Sequence, residues 1–272
     1  MKATLLGVRK VDKTVGLHVV KYDRKCKKTV EESTICEYPL NVFVNGEHLT
    51  VLLCTPDKLR ELTIGFLAFK GIIKSLDEIK SLEIDEKNGV SRVTLKDSQF
   101  NKELYSKQIL PTTFEEDEKS KFFSYIIDSM KISLIKNDNV YMHADKIYNL
   151  MRENLGYSKT FKLTGGAHCA ALCDEDKVIS ICEDVARHNA VDKLIGESFI
   201  KDIYLKDKII LVSSRVSFQM LYKIARFGIP IMISKSAPTN LSIEFAKALN
   251  VTLIGFVRGE RMNIYTNPQR II

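Results

Sequence analysis

Between residues 161 and 258 the chain repeats one pattern: a short apolar run, a cluster of Gly, Ser, Thr or Arg, then a stretch with helical spacing. Residues 209–212 lead into 213–217 and a helix through Met220, Tyr222 and Ile224. Residues 229–233 lead into 234–239 and a helix ending at Leu249, and 251–254 lead into 255–261. Residues 161–163 read as a further strand ending at Thr164-Gly165-Gly166, followed by a helix through Ala170 and Leu172; 178–181 read as another strand. Strands apolar on both faces must be covered on both faces. The pattern therefore predicts a layered α/β domain around a largely parallel sheet.

In such sheets ligands gather at the carboxyl ends of the strands, where helix N-termini present unpaired N–H groups. Residues 165–166, 213–217, 234–239 and 258–261 are thus expected to meet at one edge. Arg258 and Arg261 flank Gly259-Glu260, and paired guanidinium groups suit a phosphate or a planar acid. No Walker loop or complete G-x-G-x-x-G is present. Helix caps would account for each segment singly; together they predict an anionic ligand.

Residues 183–196 carry the densest polar pattern. On a helix over 188–196, Ala190, Val191, Leu194 and Ile195 form one face, and His188, Asn189, Asp192, Lys193 and Gly196 the other. His188 and Asp192 stand one turn apart, which would let the carboxylate fix the imidazole tautomer. Gly196 costs roughly 1 kcal/mol of helix stability, so its position predicts a close approach by another group. The plainer reading is a solvated helix face with ion pairs.

The N-terminal part predicts an α+β unit. Leu40, Val42 and Val44 lead to Asn45-Gly46 and back through Leu49, Val51 and Leu53, a hairpin with a type I′ turn. Thr55-Pro56-Asp57 is expected to open a helix that Gly71 closes, and Asn88-Gly89 marks a second hairpin. Residues 97–120, with Pro111 and the acidic cluster Glu115, Glu116, Asp117 and Glu118, read as the connection between a domain over 1–110 and one over 111–272. Phe122, Phe123, Ile126, Ile127 and Met130 predict a helix entering the second. A chain of 272 residues, 45% hydrophobic, can bury such cores. With no apolar run of the ~18 residues a membrane span needs and no signal-type N-terminus, a cytoplasmic protein without a membrane partner is expected. Six cysteines without zinc spacing predict reduced thiols and no metal of its own. The net charge of +7 is spread along the chain. Its one dense run, Lys21, Arg24, Lys25, Lys27 and Lys28, has no aromatic platform, so it reads as a solvated hairpin, not a nucleic-acid surface.

The ordered set Thr164-Gly165-Gly166-x-His168, Glu183-Asp184-Val185-x-Arg187-His188-Asn189-Ala190-Val191-Asp192-Lys193, Ser213-x-Arg215-x-Ser217, Ser234-x-Ser236-Ala237-Pro238-Thr239 and Gly255-Phe256-Val257-Arg258 resembles the FdhD family of formate dehydrogenase accessory sulfurtransferases. Asn263-x-Tyr265, Arg270-Ile271, Glu37-x-Pro39-Leu40 and Gly65-Phe66-Leu67 extend the likeness over about Ile35 to Ile271. The resemblance implies a cytoplasmic homodimer with a three-layer, cytidine-deaminase-like C-terminal domain and a smaller N-terminal α+β domain. It implies transfer of sulfur from a cysteine desulfurase to the Mo-bis(molybdopterin guanine dinucleotide) cofactor, which then enters formate dehydrogenase. Cofactor contacts are implied at Phe256, Val257, Arg258, Gly259, Glu260 and Arg261. Thr164, Gly165, Gly166, Ser234, Ser236 and Thr239 are expected to offer N–H groups to phosphates, and Arg187, His188 and Asp192 to shape the site. Deamination is not implied, since His168-Cys169-Ala170 lacks the glutamate of H-x-E and no P-C-x-x-C occurs.

The chain departs from the family in one chemical respect. The usual C-G-x-C-G loop, whose cysteines bear the sulfur, has no counterpart: residues 101–160 contain no cysteine. Ala186 and Ser214 also stand where glycine is usual. Cys169 and Cys173, one turn apart on the predicted helix after Gly166, are the substitute persulfide candidates; the plainer reading makes them buried core residues. Cys182, beside Glu183-Asp184, is expected to have a raised pKa. Two functions follow: a sulfurtransferase serving formate dehydrogenase, or a cofactor carrier, chaperone or sensor that has lost sulfur transfer.

Overall fold

The computed structural model describes residues 11–97, 100, 123–124, 126–128, 132–136 and 140–272. Most of the predicted connection over 97–120, with Pro111 and the acidic cluster, lies outside them, as do Phe122 and Met130.

Strands β1 (Thr14–Tyr22) and β2 (Lys27–Ile35) pair antiparallel as a two-stranded arm. The five cations sit exposed at its tip, where Asp23 Oδ1 accepts the N–H groups of Lys25 and Cys26. Next come β3 (Tyr38–Val44), β4 (Glu47–Cys54), α1 (Leu59–Lys70), β5 (Ile79–Asp85) and β6 (Val90–Leu95). The four strands form one sheet in the order β4-β3-β6-β5, with β3 and β6 parallel. Asn45 and Gly46 have φ of 50° and 85°, the two positive values a type I′ turn requires. Alternation sends Leu40, Val42 and Val44 inward against α1. Gly71, at φ 71°, closes α1 as predicted. The helix does not open at Thr55, however. Thr55 N–H donates to Asp184 Oδ2 at 3.1 Å and its Oγ1 accepts Val185 N–H at 2.9 Å, so the residue joins the two sheets. The first turn waits until Leu59, after Lys58 at φ 50°.

The second sheet is built from β7 (His168–Cys173), β8 (Val178–Asp184), β9 (Ile209–Val212), β10 (Ile231–Ser234), β11 (Thr252–Arg258) and β12 (Arg261–Thr266). Its order is β12-β11-β10-β9-β7-β8. Only β9, β10 and β11 run parallel; β7, β8 and β12 add antiparallel ladders, so the sheet is mixed and not largely parallel. Helices α4 (Arg187–Ile200), α5 (Phe218–Arg226) and α6 (Asn240–Ala248) cover one face; α2 (Ala144–Tyr157) covers the other. Three layers result.

The segment 161–173 reverses the predicted order of strand and helix. Ser158 Oγ accepts Phe161 N–H at 2.8 Å and caps α3 (Lys159–Thr164), which Gly165 ends at φ 68°. The apolar run that follows is a strand, β7, buried between β8 and β9. Short apolar runs do not distinguish a buried strand from a helix by periodicity alone.

Helix α4 is buried on both sides, including the face expected to be polar: Asn189, Asp192 and Lys193 are nearly inaccessible, as is Glu197 beyond them. Gly196 marks the predicted close approach. A Cβ there would lie 1.9 Å from Glu61 O, and one at Gly65 would lie 1.9 Å from Asp192 O. Helices α1 and α4 thus cross backbone to backbone, a helix of the small sheet resting on a helix of the large one.

Candidate functional site

At the carboxyl ends of β9, β10 and β11 the loops at 213–214, 234–236 and 255–256 meet. Ser236 Oγ donates to Ser213 O at 3.1 Å, Ser234 Oγ to Ser214 O at 2.6 Å, and Phe256 N–H to Ser236 O at 3.1 Å. Cys169 N–H donates to Ser213 Oγ at 3.0 Å, joining the start of β7 to the same rim. The amides predicted to hold phosphate are engaged, though. Lys235 N–H bonds Val212 O, Ser236 N–H bonds Ser234 Oγ and Thr239 N–H bonds Val216 O, while Thr239 Oγ1 caps α6. Thr164, Gly165 and Gly166 depart further from expectation. They end α3, with Gly165 N–H on Phe161 O and Gly166 N–H on Thr164 Oγ1, at the pole of a helix that disfavours anions.

The donors left at the rim are side chains. Arg215, Arg258 and Arg261 are exposed and Lys235 is half-buried. Phe256 has φ 54°, a left-handed conformation costing roughly 1–2 kcal/mol in a non-glycine residue. The ladder to β12 is irregular between Gly255 and Arg258, and Gly255 has no room for a side chain, since a Cβ would meet Pro238 Cδ at 2.9 Å and Ser236 O at 3.0 Å. Val257 is buried and anchors the kink. The guanidinium carbon of Arg258 is consequently held 5.5 Å from the Phe256 ring centroid, with its Nε near Lys235 O. Gly259, Glu260 and Arg261 continue as an exposed turn. A ring and a guanidinium on one ledge, with further cations beside them, suit a planar base carrying phosphates.

A second corner lies at the start of α4. Asp192 does not hold His188; its carboxylate is 2.5 Å from Lys223 Nζ on α5, and both groups are buried. Burial lifts the Asp192 carboxyl and lowers the Lys223 amine. His188 Nε2, Arg187 Nε and Ser217 Oγ are buried without a protein partner. Burial, then Lys223, Arg187 and His168, push His188 down to about 4 from 6.5. Burial and Arg187 lower His168 as well. The corner therefore presents Arg187 beside neutral imidazoles at neutral pH. A folded pKa below the unfolded one means that the unfolded chain takes the proton first. The stability tied to His188 is complete above pH 6.5 and is lost as pH falls toward about 4. Urea unfolding of His188→Gln is expected to show a smaller stability loss between those limits than wild type, and parallel curves would refute the assignment.

The thiols follow the plainer reading. Cys169 and Cys173 lie on a strand, and burial pushes them up to about 11 and about 12, outweighing the hydrogen bonds that Ser158, the N-cap of α3, offers Cys169. Cys182 reaches about 12, again through burial first. Lys223 was not visible as a site residue from sequence, although a lysine between Tyr222 and Ile224 in an apolar stripe is a signal of a buried ion pair. The contact of Lys58 with Cys182 and Glu197 had no such signal. Among the described residues no group of three or more His, Cys, Asp or Glu is arranged to hold a metal ion, and no helix is long and apolar enough to cross a membrane.

A mixed sheet covered by helices on both faces, a small companion sheet locked to it and a rim carrying Phe256 and several exposed cations define an α/β protein. The chain belongs to the FdhD/NarQ family, whose sequence profile matches residues 35–272. It is 42% identical over 241 residues to the sulfur carrier protein FdhD of Bacillus pumilus, covering 88% of this chain and 90% of that one. The Bacillus subtilis protein of the same name is 38% identical over 262 residues, covering 96% and 98%. The fold is shared with the crystal structure of a proposed formate dehydrogenase accessory protein from Desulfotalea psychrophila, at a TM-score of 0.78 and 24% identity, covering 96% of this chain and all of that one.

Proposed function

We propose that the chain is a cytoplasmic, homodimeric maturation factor for formate dehydrogenase, which binds the Mo-bis(molybdopterin guanine dinucleotide) cofactor and passes to it sulfur taken from a cysteine desulfurase. The relatives named sulfur carrier proteins support the reading. The observation that carries it is the ledge at Phe256 and Arg258. In this reading the Phe256 ring and the Arg258 guanidinium, packed on each other, form the ledge on which the guanine lies, Arg215, Lys235 and Arg261 neutralise the phosphates, and Arg187 meets the inner end of the ligand. Titration with GDP is expected to show Arg258→Ala binding at least tenfold more weakly, about 1.4 kcal/mol, and equal affinities would overturn the pocket.

A second reading, a carrier, chaperone or sensor without sulfur transfer, rests on the thiols. Residues 101–160 hold no cysteine, and Cys54, Cys169, Cys173 and Cys182 are buried. Incubation with a desulfurase and labelled cysteine separates the two. Label retained on the chain supports transfer; GDP binding without label supports the second reading.

A further inference from the structure

We infer that Lys58 and Cys182 form a modification site, a pair of side chains placed to be joined through one oxygen atom as an Nζ–O–Sγ cross-link when the protein meets hydrogen peroxide. The inference is independent of the cofactor reading and lies on the side of the molecule where α1 begins.

The geometry is closely held. Lys58 Nζ lies 3.2 Å from Cys182 Sγ, 2.6 Å from Glu197 Oε2 and 3.3 Å from Ile181 O, and Cys182 Sγ is 3.5 Å from the same Glu197 oxygen. Lys58 is one of six non-glycine residues at positive φ among those described, a conformation that swings its side chain from the head of α1 across to β8. An amine, a thiol and a carboxylate in mutual contact exceed what a structural ion pair needs. Lys58 with Glu197 alone would complete that pair, and the thiol is the unexplained member.

At rest the pair is quiet. Burial pushes the thiol up to about 12; burial also works against the Lys58 charge, but Cys182 and Glu197 outweigh it and hold the amine above its ordinary value. Both are protonated at neutral pH; against burial, hydrogen bonds from Lys201, Lys58 and Ser180 hold the Glu197 carboxyl down to about 2, so it stays charged opposite Lys58. Cys182 is 1% exposed, so a large oxidant or the thiol of another protein cannot reach it. Lys58 keeps 28% of its side-chain exposure and lines a cleft of about 440 Å³ with Glu61 and Glu83, so the pair meets solvent on the lysine side.

The chemistry balances with two peroxide molecules. Sulfur attacks one, breaking its O–O bond to give S–OH and water. Nitrogen attacks the other to give N–OH and water. Condensation of S–OH with N–OH forms S–O–N and releases a third water. Sulfur and nitrogen each lose two electrons, and the two peroxides accept them. The product ties the head of α1 to β8 beside the Gly65–Gly196 crossing.

The test exposes the full chain to hydrogen peroxide, quenches with catalase, alkylates free thiols in denaturant and maps tryptic peptides by mass. Expected is a species heavier by one oxygen less two hydrogens, with the Lys58 and Cys182 peptides joined, cleavage after Lys58 lost and all of this reversed by dithiothreitol. The melting temperature rises in the oxidised form and falls back on reduction. Lys58→Arg keeps a charge opposite Glu197 and abolishes the cross-link. Should that variant fail to fold, the wild-type map alone decides. Cys182 found as sulfinic or sulfonic acid with a free Lys58 peptide, a joined product lacking the oxygen mass, or Cys182 untouched where Cys26 and Cys36 are oxidised would each overturn the inference.

Discussion

Gly196→Ala is expected to be, with its counterpart at Gly65, among the most damaging single methyls that can be added to the described residues. Overpacked cores usually lose roughly 1–3 kcal/mol because side chains shift to make room. Here the obstacles are main-chain atoms: Glu61 O at 1.9 Å, Glu61 C at 2.7 Å and Gly65 N at 2.9 Å from the added carbon. The two helix axes must separate, opening the apolar contacts on either side. A loss of 3 kcal/mol or more, roughly 10 °C in melting temperature for a chain of this size, is the expected result. Gly156→Ala is the matched control, since nothing lies within 4 Å of its Cβ position on α2 and the gain in helix propensity is about 0.5–1 kcal/mol. Thermal melts of the two variants within a degree or two of each other would show that the crossing is not as tight as described.

Lys193→Met should come second. Lys193 Nζ sits 2.6 Å from Asp184 Oδ2 with both side chains fully buried, and it also donates to Thr55 O and Glu183 O at 3.2 Å. Asp184 further accepts N–H groups from Thr55, Ala186 and Asn189. Removing the cation strands a carboxylate in the joint between the sheets. Breaking such a pair costs about 3–5 kcal/mol, a large share of the 5–15 kcal/mol that holds a typical fold. The double variant Asp184→Asn, Lys193→Met should recover much of that loss, because the charge goes with its partner. If chemical denaturation finds the double variant as unstable as the sum of its parts, the cost lies in packing and not in the orphaned charge.

Hairpin turns were the most legible part of the chain, because Asn45-Gly46 and Asn88-Gly89 carry their own backbone requirement. The loops at the ends of β9, β10 and β11 were equally plain from their small polar residues. What sequence could not reveal was partner choice. His188 and Asp192 have the right spacing for each other, yet Lys223, which lies 31 residues further along the chain, takes the carboxylate because α5 buries it there. Thr55 looks like a helix cap locally and is drawn instead to Asp184, across the joint. Gly165 and Gly166 looked like the start of a helix and proved to be the end of one, since glycine at positive φ stops a helix as readily as it precedes a ligand loop. Phe256 is an expected cofactor contact, but nothing in its sequence neighbours announces a left-handed aromatic.

The crossing of α1 and α4 also limits how this chain can drift. Where a bulky residue collides with another side chain, trimming the second restores the fit, and suppressors arise. At Gly65 and Gly196 the opposing surface is peptide carbonyl and nitrogen, which every amino acid shares. No second substitution can carve space there, so variation at either position is closed from both sides at once.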